Sequence, residues 1–250
     1  KKEQSMAIRK KFMFNGESSL SYGLFITGSQ TYGSSGKDIS NYSVPGRNGD
    51  LILSNDRYTN QTYTIKAGFY DATGKFAEKA RDIRSWLLSS NGYCRLEDDY
   101  HPDEYRLASY SGSFDIDVTD LAVGEFDLIF ECKPQHFLKI GETVKTFTTS
   151  GDLLNPTKFN SKPVVRIYGT GSVDIGSGRI EVKKQGTNFI EVDCETFDVY
   201  EGTENRNDNV VVYNNGIEHL FPELVAKKQN SIVLGEGISK VEITPRFFTL

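Results

Sequence analysis

The chain has 250 residues, 37% of them hydrophobic and 12% aromatic, and a formal net charge of -5. That length is long for one domain, so two domains of about 100 to 150 residues are expected. Split at residue 150, the chain carries 18 basic against 20 acidic residues before it and 11 against 14 after it. Neither half has the basic excess that sequence-independent binding of nucleic acid requires. No apolar run approaches the roughly 18 residues of a membrane span.

In chain order, Met6 is the expected initiator, which leaves residues 1–5 outside the fold argument, and no secretory signal is read. Lys11–Phe14 reads as a strand, Asn15-Gly16 as a turn and Tyr22–Ile26 as a second strand. Thr27–Lys37 is rich in Gly and Ser and reads as a loop or edge. Ile39–Pro45 is strand-like, Gly46–Asp50 is a tight turn with Asn48-Gly49 at its tip, and Leu51–Leu53 leaves it. Tyr58–Phe69 alternates, with Tyr63, Ile65, Ala67 and Phe69 on one side.

One stretch has the other period. Phe76, Ala77, Ala80, Ile83, Trp86 and Leu87 recur at three and four, which predicts an amphipathic helix over about 74–88. Asp71 or Thr73 is the expected cap and Ser89–Gly92 the stop. The helix carries the only tryptophan of the chain, and its stripe must bury against a sheet. After it come a strand at Gly92–Leu96, an acidic loop at Glu97–Glu104, and strands at Tyr105–Tyr110 and Ser113–Val118. Gly124–Cys132 is a strong strand, which Pro134 is expected to end.

Weak patterning over Thr143–Ser161 places a junction there, giving domains 1–148 and 149–250. The second half is a series of short strands with turn signals every 8 to 12 residues or so, beginning at Val164–Tyr168 and ending at Arg246–Thr249, the pattern of a β-sandwich. Glu201–Asn209 reads as a loop. The fold class is therefore mainly β: two β-sandwich domains, the first with a single helix.

The search for chemistry is largely negative. There is no G-x-S-x-G nucleophile elbow. Gly33–Lys37 lacks the first glycine of a phosphate loop and is followed by Asp38 in place of Ser or Thr. Gly169-Thr-Gly171 is not followed by a helix, so a dinucleotide fingerprint fails. His101, His136 and His219 have no metal-ligand partner at i+2 to i+4. Cys94, Cys132 and Cys194 are odd in number and widely spaced, which argues against a disulfide framework or zinc site and for small buried hydrophobes made in a reducing compartment. Asp98, Asp99, Asp103 and Glu104 have the chemistry for a hard cation but neither the spacing nor the glycine of an EF-hand, so a solvated acidic hairpin tip, or a salt-bridge surface for a partner, is expected instead. Asn41-Tyr-Ser43 and Asn60-Gln-Thr62 are formal glycosylation sequons. The second half has no Trp for sugar stacking, and Tyr168, Phe189, Phe197, Tyr200 and Tyr213 lie within strands, where core or cross-strand packing is the default. No catalytic, cofactor or metal residue is assigned.

Several segments together resemble a known family, the distal tail proteins of long-tailed phages (siphophages). They are Phe14-Asn15-Gly16 with Tyr22-Gly23-Leu24, Val44–Gly49, Ile83–Leu87, Gly92-Tyr93, Tyr100–Arg106 and Phe130–Gln135. In the second half they are Asn155–Thr157, Ser161–Pro163, Phe221-Pro222 and Val241–Phe248. The resemblance runs from Met6 to nearly the end. It implies an N-terminal ring-forming domain and a C-terminal galectin-like jelly roll that usually lacks a working sugar site. It also implies a non-enzymatic virion protein at the tail tip, made in the bacterial host cytoplasm. The implied partners are a homo-hexamer around a DNA-exit channel, the tail-tube protein on one face, a tail-associated or baseplate hub protein on the other, and receptor-binding proteins outside. Sequence-specific nucleic acid and membrane are not among them. The rival reading is a carbohydrate-binding adhesin with a groove around Glu201–Asn209. A hydrolase would need a marked pair of carboxylates, which the sequence does not offer.

Overall fold

The computed structural model describes residues 9–28, 33–70, 74–113, 117–120, 123–184 and 186–250, with backbone only at 70, 117–120 and 123–125. Residues 1–5 and the expected caps Asp71 and Thr73 lie outside the described residues, as does part of the strand expected at Ser113–Val118. Contacts divide the chain into two compact units, residues 1–136 with Leu250 and residues 137–249. The division falls upstream of the junction expected near 148, because Lys145–Phe147 already pairs into a sheet of the second unit.

The first unit begins with β1 (Phe12–Phe14) and β2 (Glu17–Ser18). Asn15 and Gly16 join them at φ 51° and 82°, the left-handed pair that a two-residue hairpin turn demands. A 3₁₀ turn (Ser19–Tyr22) leads to β3 (Leu24–Ile26). Among the described residues, β4 (Lys37–Tyr42) and β5 (Leu51–Tyr58) pair only with each other. β6 (Gln61–Tyr70), helix α1 (Phe76–Leu88), β7 (Cys94–Asp98), β8 (Glu104–Ser109), β9 (Asp117–Asp120) and β10 (Val123–Leu138) complete the set. The run expected over Tyr58–Phe69 is broken at Thr59 and Asn60, so Tyr58 ends the hairpin and the long strand starts at Gln61.

The main sheet runs β2-β1-β7-β8-β10-β6-β3, with β9 added to β10. It curls until its far edge returns to its start: the Ile26 N–H donates to the Lys10 carbonyl at 2.8 Å. Alternation does the rest. Tyr63, Ile65 and Ala67 of β6 stand opposite Phe130, Leu128 and Phe126 of β10, and all six are buried. Pro134 does not end β10. The β6 ladder finishes at Cys132 opposite Gln61, so the missing N–H of Pro134 costs no bond on that side.

Helix α1 is the only α-helix among the described residues, and it closes this core. Ile83, Trp86 and Leu87 are buried, Phe76 packs edge-on to Phe69 at 5.2 Å, and Ala77 is exposed, so the apolar stripe is narrower than its sequence spacing implies. The Trp86 ring stacks on Phe12 at 5.7 Å and on Tyr22 at 4.5 Å, meets Phe14 edge-on, and donates its N–H to the Phe14 carbonyl. Ser89 Oγ donates to the Trp86 carbonyl at 2.8 Å and satisfies an orphan acceptor at the helix end.

The second unit is a sandwich of two six-stranded sheets. After a 3₁₀ turn (Lys139–Glu142) come β11 (Lys145–Phe147), β12 (Gly151–Leu154), β13 (Val164–Gly169), β14 (Gly171–Ile175), β15 (Gly178–Val182), β16 (Ile190–Asp193), β17 (Asp198–Glu201) and β18 (Glu204–Asn205). Then follow β19 (Val210–Asn214), β20 (Ile217–Glu218), β21 (Gln229–Leu234), β22 (Ile238–Thr244) and β23 (Phe248–Thr249). One sheet runs β11-β22-β13-β16-β17-β18, the other β12-β21-β14-β15-β19-β20. Val165, Ile167, Ile190, Val192, Val241 and Ile243 of the first meet Val173, Ile175, Ile180, Val212 and Ile232 of the second. The strand expected at Arg246–Thr249 is shorter, because Arg246 turns at φ 54° and its guanidinium grips Asp193 with two bonds of 2.6 and 2.8 Å.

Because Trp86 makes three aromatic contacts and a backbone hydrogen bond inside a closed core, Trp86→Ala should cost about 3–5 kcal/mol. Urea unfolding followed by far-UV circular dichroism measures it. A variant of unchanged midpoint that fails only to assemble would make Trp86 an interface residue.

Candidate functional site

The acidic loop is solvated at Asp99, Pro102 and Asp103, but Asp98 and Glu104 turn inward. Asp98 ends β7 with its side chain 0% exposed. It collects donors from four places: the N–H groups of Tyr100 and His101 at 2.8 and 3.0 Å, the Tyr63 hydroxyl of β6 at 3.0 Å, and Arg106 Nη1 of β8 at 3.2 Å. His101 Nδ1 lies 2.9 Å from the same carboxylate. Arg106 is itself buried, lies with Cζ 4.2 Å over the Tyr63 ring, and sends Nη2 to Glu104 at 3.2 Å. Glu104 meets His136 Nδ1 at 3.0 Å, and the other nitrogen of that ring lies 2.5 Å from the Gln61 amide. The network thus ties β6, β7, β8 and β10, and it lines a cavity of about 380 Å³ with Gln61, Tyr63, His101, Glu104, Arg106 and His136.

Burial pushes the Asp98 carboxyl upward, but the His101 hydrogen bond and charge, then the Arg106 charge and the Tyr63 hydroxyl, outweigh it and hold it below the usual carboxylate range. Glu104 is lowered in the same way, its burial outweighed first by His136 and then by Arg106. Burial first, and the Asp98 charge second, raise the Tyr63 phenol. Among the described residues no three His, Cys, Asp or Glu side chains are placed to hold a metal. Asp99 spends Oδ2 on the Lys11 N–H at 2.9 Å.

The other sequence candidates do not converge. His219 stands exposed beside Glu218, remote in sequence and unit from His101 and His136. Gly169 and Gly171 join β13 to β14 with no helix after them. Around Glu201–Asn209 a groove of about 380 Å³ is lined by Asp198, Tyr200, Thr203 and Asn205, and several side chains beside it are engaged with neighbouring segments. Glu201 accepts the Asn188 N–H at 2.9 Å, Arg206 bridges Glu201 and Glu204, and Asn207 Oδ1 accepts the Val199 N–H at 2.7 Å. Phe197 is not packed in a strand. It sits in the turn before β17 at φ 62°, 54% exposed, edge-on to Phe221. Cys132 and Cys194 are buried and free, and burial pushes the Cys132 thiol up to about 12. Asn41 and Asn60 are both exposed, and Asn60 donates to the Tyr93 hydroxyl at 2.6 Å.

The feature that asks for a partner is the β4–β5 hairpin. Its ladder pairs Tyr42 with Leu51 and Ser40 with Leu53 on one face, and Asn41 with Ile52 and Ile39 with Ser54 on the other. Ile39, Tyr42, Leu51, Ile52 and Leu53 are all exposed, Ile52 at 63%. Near its base, Asp38 takes Arg57 at 2.6 Å and Asn55 at 2.9 Å; the Asn55 hydrogen bond first and Arg57 next lower that carboxyl. The Thr59 N–H donates to the Gly36 carbonyl at 2.9 Å, and two residues later the chain reaches Gln61 of the buried network. The sequence marks the turn at the tip of this hairpin but gives no sign that the strands pair with nothing else.

Asp98 and Glu104 have folded-state pKa values below their unfolded ones, so their stabilisation is present above about pH 4–5 and is lost as pH falls through the folded values. The unfolding free energy of the first unit should be flat near neutrality and fall in acid. Asp98→Asn, which leaves Arg106 buried with one partner fewer, should cost about 3–5 kcal/mol at pH 7 and flatten the acid limb. Denaturant titrations at a series of pH values measure both effects.

No protein-family profile matches the chain, and no curated protein matches it. Solved structures do. The SPP1 Dit protein (gp 19.1), described as a paradigm of the hub adsorption apparatus in phages infecting Gram-positive hosts, superposes with a TM-score of 0.61 at 11% identity over 96% of this chain and 99% of that one. A chain of the phage P2 baseplate in its activated conformation with Ca gives a TM-score of 0.50 at 9% identity over 94% of this chain and 97% of that one. The Sr form gives 0.50 at 9% over 94% and 96%. From end to end, the fold of this chain is therefore similar to that of phage tail hub and baseplate proteins.

Proposed function

We propose that the chain is a structural virion protein of a phage tail tip, a hub without catalytic activity. Six copies of the first unit form a ring around a channel through which DNA leaves without sequence-specific contact. The tail-tube protein sits on one face and a tail-associated or baseplate protein on the other. The second unit, galectin-like in this reading, carries receptor-binding proteins on the outside. The observation that carries the proposal is the correspondence in fold with a hub protein over 96% of this chain and 99% of that one.

The exposed hairpin supplies a physical reason for assembly. A two-stranded ribbon is marginal by itself, and one with apolar groups on both faces gains most when neighbours cover both. A head-to-tail ring gives each copy two different neighbours and so covers two different faces. The acidic chain also suits a channel wall that must not hold DNA. The adhesin reading would use a groove of about 380 Å³ lined by Asp198, Tyr200, Thr203 and Asn205, but Glu201, Arg206 and Asn207 beside it are already engaged with neighbouring groups.

Light scattering coupled to size exclusion, followed by negative-stain microscopy, should show rings of six at high concentration. The double substitution Ile52→Asp and Leu53→Asp should leave the unfolding free energy within about 1 kcal/mol of the parent, as exposed positions do, and abolish the ring. A chain that stays monomeric both alone and with its tail-tube partner would refute the proposal.

A further inference from the structure

The β4–β5 ribbon is not a regular ladder. Lys37 stands opposite Tyr58 and Ile39 opposite Ser54, so Asp38 alone on β4 faces Asn55, Asp56 and Arg57 on β5. β5 therefore carries two residues more than its partner here, which makes a bulge. Asp56 turns it at φ 52°, a left-handed conformation that most side chains resist and that Asp and Asn adopt more readily. The bulge is held from both strands. Asp38 accepts the Asn55 amide at 2.9 Å with one oxygen and the Arg57 Nε–H at 2.6 Å with the other. Ser54 Oγ accepts the Asp56 N–H at 3.1 Å and donates to the Asp56 carboxylate at 3.1 Å. Residues Ser54 to Arg57 are all exposed, so these bonds add little to stability. Their effect is to select one shape for the insertion.

An insertion of two has a particular consequence. Side chains alternate between the faces of a strand with period two, so one extra residue would exchange the faces and two do not. What the bulge changes is direction, because a bulged strand bends and twists more strongly than a regular one. Ile39, Tyr42, Leu51, Ile52 and Leu53, the exposed apolar groups of both faces, all lie beyond it. The Gly36–Thr59 hydrogen bond and Gln61 lie on the near side. The root thus fixes where the ribbon leaves the body, and the bulge fixes where its far half points. Given the ring proposed above, we infer that the two-residue bulge at Asn55 and Asp56 determines which surface the ribbon can reach. It aims the apolar end of one copy at the neighbouring copies, and a straight ribbon with the same side chains does not engage them.

Deleting Asn55 and Asp56 restores one-to-one pairing, with Asp38 opposite Arg57, and leaves every apolar side chain of the ribbon on its face. The full-length parent and this variant should be compared by light scattering coupled to size exclusion over a range of concentrations, with circular-dichroism melts to establish folding. The parent should form rings. The deletion variant should melt as the parent does and need a concentration about tenfold higher or more to assemble. Asp56→Gly, which keeps the left-handed turn at no steric cost, should assemble at the parent's concentrations. Asp56→Val, which sets a β-branched side chain against that conformation, should be weakened in the same direction as the deletion. Assembly of the folded deletion variant at the parent's concentrations would overturn the inference and leave the ring intact. Where the deletion variant does not fold, the same result with Asp56→Val decides in the same way. A parent that never assembles, alone or with its tail-tube partner, would overturn both.

Discussion

The Asp98 carboxylate is the point from which the first unit is held. It lies out of water, and a bare carboxylate there would cost several kcal/mol. It is tolerated because two N–H groups of its own turn, a phenol, an imidazole and a guanidinium converge on it. Each donor comes with a strand or turn attached. Tyr63 fixes β6, Arg106 fixes β8, and Arg106 passes the constraint to Glu104 and thence to His136 on β10. The carboxylate itself is fully hydrogen-bonded, while Arg106 Nε at the other side of the pair stays buried without a hydrogen-bond partner among the described residues.

That constraint explains why a hairpin with few contacts of its own can still project at a defined place. Among the described residues β4 and β5 pair with nothing but each other, so their direction is set where they leave the body. At that root the chain passes from the Gly36–Thr59 hydrogen bond to Gln61, which the network holds through His136. The surface pair Arg57–Asp38 contributes little by comparison, because an exposed ion pair is screened by water and salt. The hairpin is therefore placed by buried groups at its base, and its own side chains are left for contact with others. The aromatic clamp around Trp86 plays the matching part on the helix side, where packing and not charge fixes α1 against β1.

What could be read from the sequence was what neighbours in sequence decide. The three-and-four spacing of Ile83, Trp86 and Leu87 gave the helix, Asn15-Gly16 gave the first hairpin, and the alternation of Tyr63, Ile65 and Ala67 gave the buried face of β6. The acidic loop defied the same method because a run of carboxylates is normally solvated, and the partners of Asp98 lie at positions 63, 100, 101 and 106 on different elements. The one local hint was His101 three residues after Asp98 with Arg106 beyond it, a cation and a hydrogen-bonding ring within reach of the acid. Pro134 misled for a related reason: a proline is costly in a strand only where a neighbour needs its N–H, and whether a neighbour is there is a tertiary fact. The exposed hairpin was half legible, its tip marked by turn residues and its isolation unmarked, since no residue records the absence of a third strand.

The same distinction accounts for a fold kept at 11% identity. A curled sheet closed by a helix, followed by a sandwich, requires alternation, a few left-handed turns and filled volume, and many sequences meet those terms. Such a scaffold leaves its surfaces free to diverge, so the residues that touch other molecules need not be the ones that define the fold. In this chain the two sets separate cleanly. Asp98, Arg106 and Trp86 are buried and answer to folding, whereas Ile39, Tyr42, Ile52 and Leu53 are exposed. An apolar side chain on a surface ribbon adds nothing to its own core and adds a risk of aggregation. The presence of such side chains on both faces of β4–β5 agrees with the contacts proposed for the assembled state and is not accounted for by packing within the described residues.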